Sequence, residues 1–330
     1  MTLTYSQIKD ITIGALEILQ DENGDVTFKR FTDKQSEYYR THNEGYYLRS
    51  KANSGIRFAF TTDAESISID YAMIRASSAN WFQLDILCDG ALIKHLDTRT
   101  DSDRCEGTLE CPLPCGEHLI TVHLPNLATF VLKKLELAGA SILAPHKPKG
   151  PSILYLGDSI TYGASSFYPS LTYTARLTAM TDANTLNQGI GGEIFRADIL
   201  DEDLPFTPDI ITIAFGTNDW SCARKDPELR ISRADAYLKK LKGIFPNAKI
   251  VYISPLWRGL AEEDYLTFLP ARREFEDLAR SYGITVVDGL TLVPHLSEFF
   301  QDKTLHPNEN GFSLYAENLA VALKKSGIID

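Results

Sequence analysis

The chain has 330 residues, 44% of them hydrophobic and 23% charged, enough for two domains with sizeable cores. A formal net charge of -11 argues against nucleic acid or an anionic membrane as the main partner, because both repel an acidic surface. The first residues lack a basic region followed by an apolar one, and no apolar run is long enough to span a bilayer; a cytoplasmic location is the expectation.

In chain order, residues 11–19 and 26–31 flank Asn23-Gly24, a hairpin turn signal. Strand-like runs follow at 56–60, 66–71, 82–87, 118–123 and 130–137, several alternating apolar and polar residues with period two. This spacing, with turn residues such as Asp89-Gly90, predicts an antiparallel β-sandwich over residues 1–144. Ala144-Pro-His-Lys-Pro-Lys-Gly-Pro151 continues neither a helix nor a central strand, so 145–151 reads as a linker. From 152 to 330 the pattern alternates. Strands are predicted at 152–156, 185–187, 210–215, 249–254 and 284–287, and helices at 169–180, 194–200, 229–245, 271–282 and 308–325. Apolar β-branched runs joined by helices indicate a parallel sheet covered on both faces, with ligands beyond the C-terminal strand ends.

The cysteines are Cys88, Cys105, Cys111, Cys115 and Cys222. Cys111-Pro-Leu-Pro-Cys115 lacks a second closely spaced pair, and an odd count in a cytosolic chain reads as free thiols rather than a metal knuckle.

Each strand end in the second half carries a chemically useful residue. The first stops at Gly157-Asp158-Ser159, placing a hydroxyl where a buried strand breaks into a loop. A serine there is either a helix cap or a nucleophile with its backbone N–H turned to the same space. The second ends in Asn187-Gln-Gly-Ile-Gly-Gly192-Glu193, a glycine-rich turn opening a helix, where a backbone N–H can approach a ligand. Asn218, in Gly216-Thr-Asn-Asp219, is a turn former or a side-chain donor to an oxyanion. His306, in Thr304-Leu-His-Pro-Asn-Glu-Asn-Gly311, lies on a loop before the last helix, where a general base is useful.

In this order, Ser159, Gly192, Asn218 and His306, with Gly157-Asp-Ser-Ile160, Gly216-Thr-Asn-Asp219 and His306-Pro-Asn308, resemble the SGNH (GDSL) hydrolase superfamily over roughly residues 151–330. The resemblance implies a flavodoxin-like three-layer α/β/α domain and ester hydrolysis through an acyl-serine intermediate. It assigns Ser159 as nucleophile, His306 as base, and the N–H groups of Ser159 and Gly192 with the Asn218 amide as oxyanion hole. The family usually has an aspartate three residues before the histidine. Here that residue is Lys303, and Asp302 stands one position earlier. Asp302 after a one-residue loop adjustment, Asp288 at the fifth strand end, or a backbone carbonyl are the alternatives for orienting His306, with Asp302 favoured.

The N-terminal sandwich is similar in arrangement to the accessory jelly-roll-like domain of carbohydrate esterases, which implies acylated, and specifically acetylated, sugars. Tyr162, Phe167, Trp220 and Trp257 follow the candidate motifs, and Trp220 and Trp257 are the preferred substrate-binding aromatics. The expected substrate is a small-molecule or oligosaccharide ester, and the chemistry requires no cofactor or metal. An acyltransferase using the same site, or a carbohydrate-binding protein on an inactive hydrolase scaffold, are the alternatives.

Overall fold

The computed structural model describes residues 1–330. Two antiparallel sheets form the first half. One runs Thr12–Ile13, Arg57–Thr62, His118–His123, Trp81–Cys88, Ala91–Arg99, with Leu143–Pro145 also paired to Arg57–Thr62. The other runs Glu17–Gln20, Val26–Lys29, Ala128–Ala138, Ser66–Arg75, Arg104–Pro112. Their inner faces share one core that includes Phe58, Phe60, Ile69, Phe82, Leu84, Phe130 and Leu132, so the two sheets form a sandwich.

This half is not all strand. Helices span Tyr5–Ile11, Asp33–His42 and Glu44–Ser50, and the run expected as a strand at 11–19 breaks into the end of a helix and two short strands. Thr4 with Gln7 and Thr32 with Gln35 form capping boxes, each side chain satisfying the other's backbone N–H. Such local signals override weak alternation.

The second half carries a five-stranded parallel sheet in the order Asn184–Asn187, Ser152–Gly157, Ile210–Ala214, Lys249–Ile253, Thr285–Val287. Numbered along the chain this is 2-1-3-4-5, the flavodoxin-like order. Tyr173–Thr181 and Glu309–Lys325 cover one face through Tyr173, Leu177, Phe312, Tyr315 and Leu319. Pro227–Ile244 and Glu262–Ser281 cover the other through Tyr237, Leu241, Phe268 and Phe275. The helix expected at 271–282 starts earlier because Pro270 sits inside it rather than ending it. The helix expected at 194–200 is only a single 3-10 turn, Ala197–Ile199.

The two halves meet across buried polar contacts. Arg57 donates to Thr185 Oγ1 (3.1 Å) and to the Ala183 carbonyl (3.0 Å). Asp85, fully buried, accepts from the Ser170 N–H and hydroxyl at 2.9 and 2.6 Å. Tyr162 donates to the Ala76 carbonyl at 2.8 Å. Hydrogen bonds shielded from water in this way have defined geometry, and they hold the sandwich against the head of the parallel sheet.

Candidate active site

The strand Ser152–Gly157 delivers Ser159 to the carboxyl edge of the sheet. Asp158 caps a one-turn helix, Ser159–Tyr162, by accepting from the Ile160 N–H at 3.0 Å. Glycine is required at 157, since a Cβ there would lie 2.1 Å from Thr161 Oγ1. As the first residue of that turn, Ser159 has a backbone N–H without an intrahelical acceptor.

His306 reaches the same point from a loop pinned at several places. Gln301 N–H donates to the His306 carbonyl (2.7 Å), Gly259 N–H to the Thr304 carbonyl (2.7 Å), and the Ser165 hydroxyl to the Pro307 carbonyl (2.7 Å). His306 Nε2 lies 2.8 Å from Ser159 Oγ. Its Nδ1 lies 2.6 Å from Asp302 Oδ2. Asp302 Oδ1 accepts the N–H groups of Thr304, Leu305 and His306 at 3.0, 2.8 and 3.1 Å. Burial opposes ionisation of Asp302, but the bonds from His306 and from these N–H groups outweigh it and hold the carboxyl well below the usual range. The extra residue between Asp302 and His306 is absorbed at Lys303, whose φ of +67° is left-handed. Asp288 is elsewhere: it pairs with Arg272 and caps the turn Gly289–Thr291.

Gly192 and Asn218 line the cleft that Ser159 and His306 face. Gly192 has a φ of +86°, and its N–H donates to no group in the chain. Asn218 Nδ2 donates to the Glu193 carbonyl at 3.0 Å, with Asp158 Oδ2 at 3.5 Å, which fixes the amide orientation. Asp158 and Asp219 lie beneath. Burial raises the Asp158 carboxyl to about 6 and the Asp219 carboxyl to about 7. Asp219 accepts from the Phe195 N–H at 3.0 Å through one oxygen, while the other is buried without a partner.

The cleft, about 610 Å³, lies between the two halves. Tyr46, Arg49, Ser77 and Trp81 of the sandwich half form its outer wall. None of these was among the residues expected from sequence, because no local motif marks a side chain that reaches the site through domain docking. Tyr162 lines the cleft as well, although it is only 1% exposed. Phe167 meets Trp81 edge-on, with ring centroids 4.9 Å apart.

Trp220 and Trp257, expected as substrate-binding aromatics, do not line this cleft. Trp220 is 1% exposed, packs on Phe268 at 5.2 Å and donates to Thr267 Oγ1 at 3.2 Å. Its position in the helix Thr217–Cys222 turns it into the core beside Asn218 instead of toward the ligand space. Trp257 packs on Phe300 and stacks on His295, with centroids 5.0 and 6.0 Å away.

One group of possible metal ligands, Cys88, Asp89 and His118, lies far from these motifs on the sandwich. Both His118 ring nitrogens are already engaged, with Asp89 Oδ2 at 2.7 Å and the Cys115 carbonyl at 3.2 Å. All five cysteines are free. No helix is long and apolar enough to cross a membrane.

Comparison with known proteins agrees with this layout. Residues 155–314 match the GDSL-like lipase/acylhydrolase family, and residues 13–133 match the SsfX3 N-terminal domain. No curated protein sequence matches the chain. Among solved structures, the salicylyl-acyltransferase SsfX3 from a tetracycline biosynthetic pathway is 21% identical with a TM-score of 0.76, covering 96% of this chain and 94% of that one. A GDSL-like lipase from Bacteroides ovatus is 18% identical with a TM-score of 0.78, covering 100% and 98%. A family two carbohydrate esterase from Cellvibrio japonicus is 17% identical with a TM-score of 0.67, covering 98% and 97%. At these identities the likeness establishes the fold. The chain joins an N-terminal domain of the SsfX3 kind to a C-terminal domain that belongs to the GDSL-like lipase/acylhydrolase family.

Proposed function

We propose that the chain is a serine esterase that removes short acyl groups, acetyl in particular, from carbohydrate esters. The reading is carried by the continuous line from Asp302 through His306 to Ser159, with contacts of 2.6 and 2.8 Å, ending at a cleft beside Gly192 and Asn218. His306 Nε2 takes the Ser159 proton as Oγ attacks the ester carbonyl, and Asp302 stabilises the resulting imidazolium. The carbonyl oxygen becomes an anion that accepts from the Ser159 and Gly192 N–H groups and from Asn218 Nδ2. The C–O bond to the alcohol then breaks, the alcohol leaves with the His306 proton, and the acyl group stays on Ser159. Water, deprotonated by His306, attacks this acyl-serine and releases the acid, restoring both groups.

Support for a carbohydrate alcohol comes from the shared two-domain arrangement with carbohydrate esterases and from Trp81 in the cleft wall. The likeness to SsfX3 over both domains favours a second reading, in which another alcohol replaces water as acceptor. Hydrolysis of p-nitrophenyl acetate and longer acyl esters, beside folded Ser159→Ala, tests the first reading. Activity falling with chain length and absent from the variant supports it. Turnover that appears only when an alcohol acceptor is added, with ester as product, replaces it by the second. Sugar binding with no turnover of any ester and unchanged in Ser159→Ala contradicts both.

A further inference from the structure

The sandwich half places a charge in the cleft that the proposed ester chemistry does not use. Arg49, near the end of the helix Glu44–Ser50, lines the cleft together with Ser159, Gly192, Asn218 and His306. Its side chain lies along the glycine-rich loop: a Cβ on Gly191 would sit 3.3 Å from Arg49 Cδ and 3.4 Å from Nε. The missing side chain at 191 is what makes room for it. Its backbone is fixed from below, since buried Arg30 donates to the Arg49 carbonyl at 3.0 Å.

The surroundings leave this guanidinium without a counter-charge. Carboxylates outnumber Lys and Arg by 44 to 33 in the whole chain, yet no Asp or Glu lines the cleft. The nearby Glu193 carboxylate is buried and paired with Arg196 at 3.2 Å. Asp302 is occupied by His306. Tyr46 is the neighbouring aromatic, with its ring centroid 6.0 Å from Arg49 Cζ. A guanidinium held this way is suited to bidentate recognition of a planar or tetrahedral oxyanion.

We propose that Arg49 selects substrates whose alcohol part carries an anionic group, a carboxylate or a phosphate. The assignment to the alcohol part rests on the short-acyl esterase reading above. An acetyl group fills a small fraction of about 610 Å³, and the remainder, including the Arg49 wall, accommodates the alcohol. The proposed substrate class is therefore acylated acidic sugars or sugar phosphates.

Calorimetric titration of folded Ser159→Ala with glucuronate, glucose 6-phosphate and glucose tests this without requiring turnover. One anion should bind about 10-fold more tightly than glucose, the advantage shrinking as salt is raised. Preference for glucuronate identifies a carboxylate, and preference for glucose 6-phosphate a phosphate. The preference should vanish on adding Arg49→Gln and return in part with Arg49→Lys. Equal affinity for the three sugars, no binding of either anion, or a preference that survives Arg49→Gln overturns the proposal. Failure of the esterase reading shows separately, as absence of p-nitrophenyl acetate turnover by the unsubstituted chain.

Discussion

Asp302 uses one carboxylate oxygen for three backbone N–H groups and the other for the His306 ring, so loop and imidazole are oriented by the same residue. Asp302→Asn keeps the size but offers an N–H where Nδ1–H needs an acceptor, which favours the wrong tautomer. The expected loss in kcat on p-nitrophenyl acetate is on the order of 10²- to 10⁴-fold, measured beside a thermal melt that reports folding. Asn218→Ala removes one candidate oxyanion donor. Its kcat should fall about 10²- to 10³-fold with KM changing far less, because the bond matters only as charge develops. Full activity in folded Asn218→Ala would remove Asn218 from the oxyanion hole. That Ser159, Gly192, Asn218 and His306 meet at one cleft was legible from sequence, because each sits in a short motif at a strand end or before a helix. Trp220 was misread for a physical reason: it stands two residues after Asn218 on the same helix, which turns its side chain about 200° away, here into the core.

At the scale of elements, the turn 187–192 is held from outside its own domain. Arg30, wholly buried, donates through Nη1 to the Asn187 and Gly189 carbonyls at 2.9 and 2.8 Å. Its Nε and Nη2 reach the Ala52 and Arg49 carbonyls at 2.7 and 3.0 Å. Burial lowers its pKa to about 10, which leaves it charged at neutral pH. Gln35 adds a contact to Gln188 Oε1 at 3.2 Å, and Tyr46 donates to the Gly192 carbonyl at 2.8 Å. The sandwich half therefore positions the loop that carries Gly192. Tyr46→Phe keeps the ring and removes that one bond, so kcat/KM should fall about 2- to 10-fold, the equivalent of a single hydrogen bond, with Tm within a few degrees of the parent. An unchanged kcat/KM would show that the loop holds its shape without Tyr46. The helices carrying Gln35 and Tyr46 escaped the sequence reading because Asp33–His42 is mostly polar, although its Thr32/Gln35 capping box was present to be read.

The whole molecule is a parallel α/β/α domain whose ligand space is closed by a β-sandwich docked through buried polar groups. Alternating strands and helices made the α/β/α domain legible, whereas docking depends on contacts between residues such as Arg30 and Gly189 that are 159 positions apart. Near the docked face, Asp158 and Asp219 are buried with carboxyls raised to about 6 and about 7. Between their unfolded value near 4 and these folded values, the native state binds more protons than the unfolded chain. Their contribution to stability is therefore full below about pH 4 and is lost as pH rises through about 7. Asp302 acts oppositely, its contribution being lost only as pH falls below the ordinary carboxylate range. Asp219→Asn, which mimics the protonated acid, should shrink the fall in Tm between pH 5 and about 7.5 relative to the parent. An identical fall in both proteins would mean that Asp219 ionises normally.

The acyl-serine intermediate is tested most directly by acid-quenching the protein during turnover of p-nitrophenyl acetate and mapping its peptides by mass spectrometry. One acetyl group on the peptide containing Ser159, absent from Ser159→Ala and from protein quenched without ester, is the expected result. Turnover without acetylation of Ser159, or turnover retained by Ser159→Ala, would contradict nucleophilic catalysis by this residue.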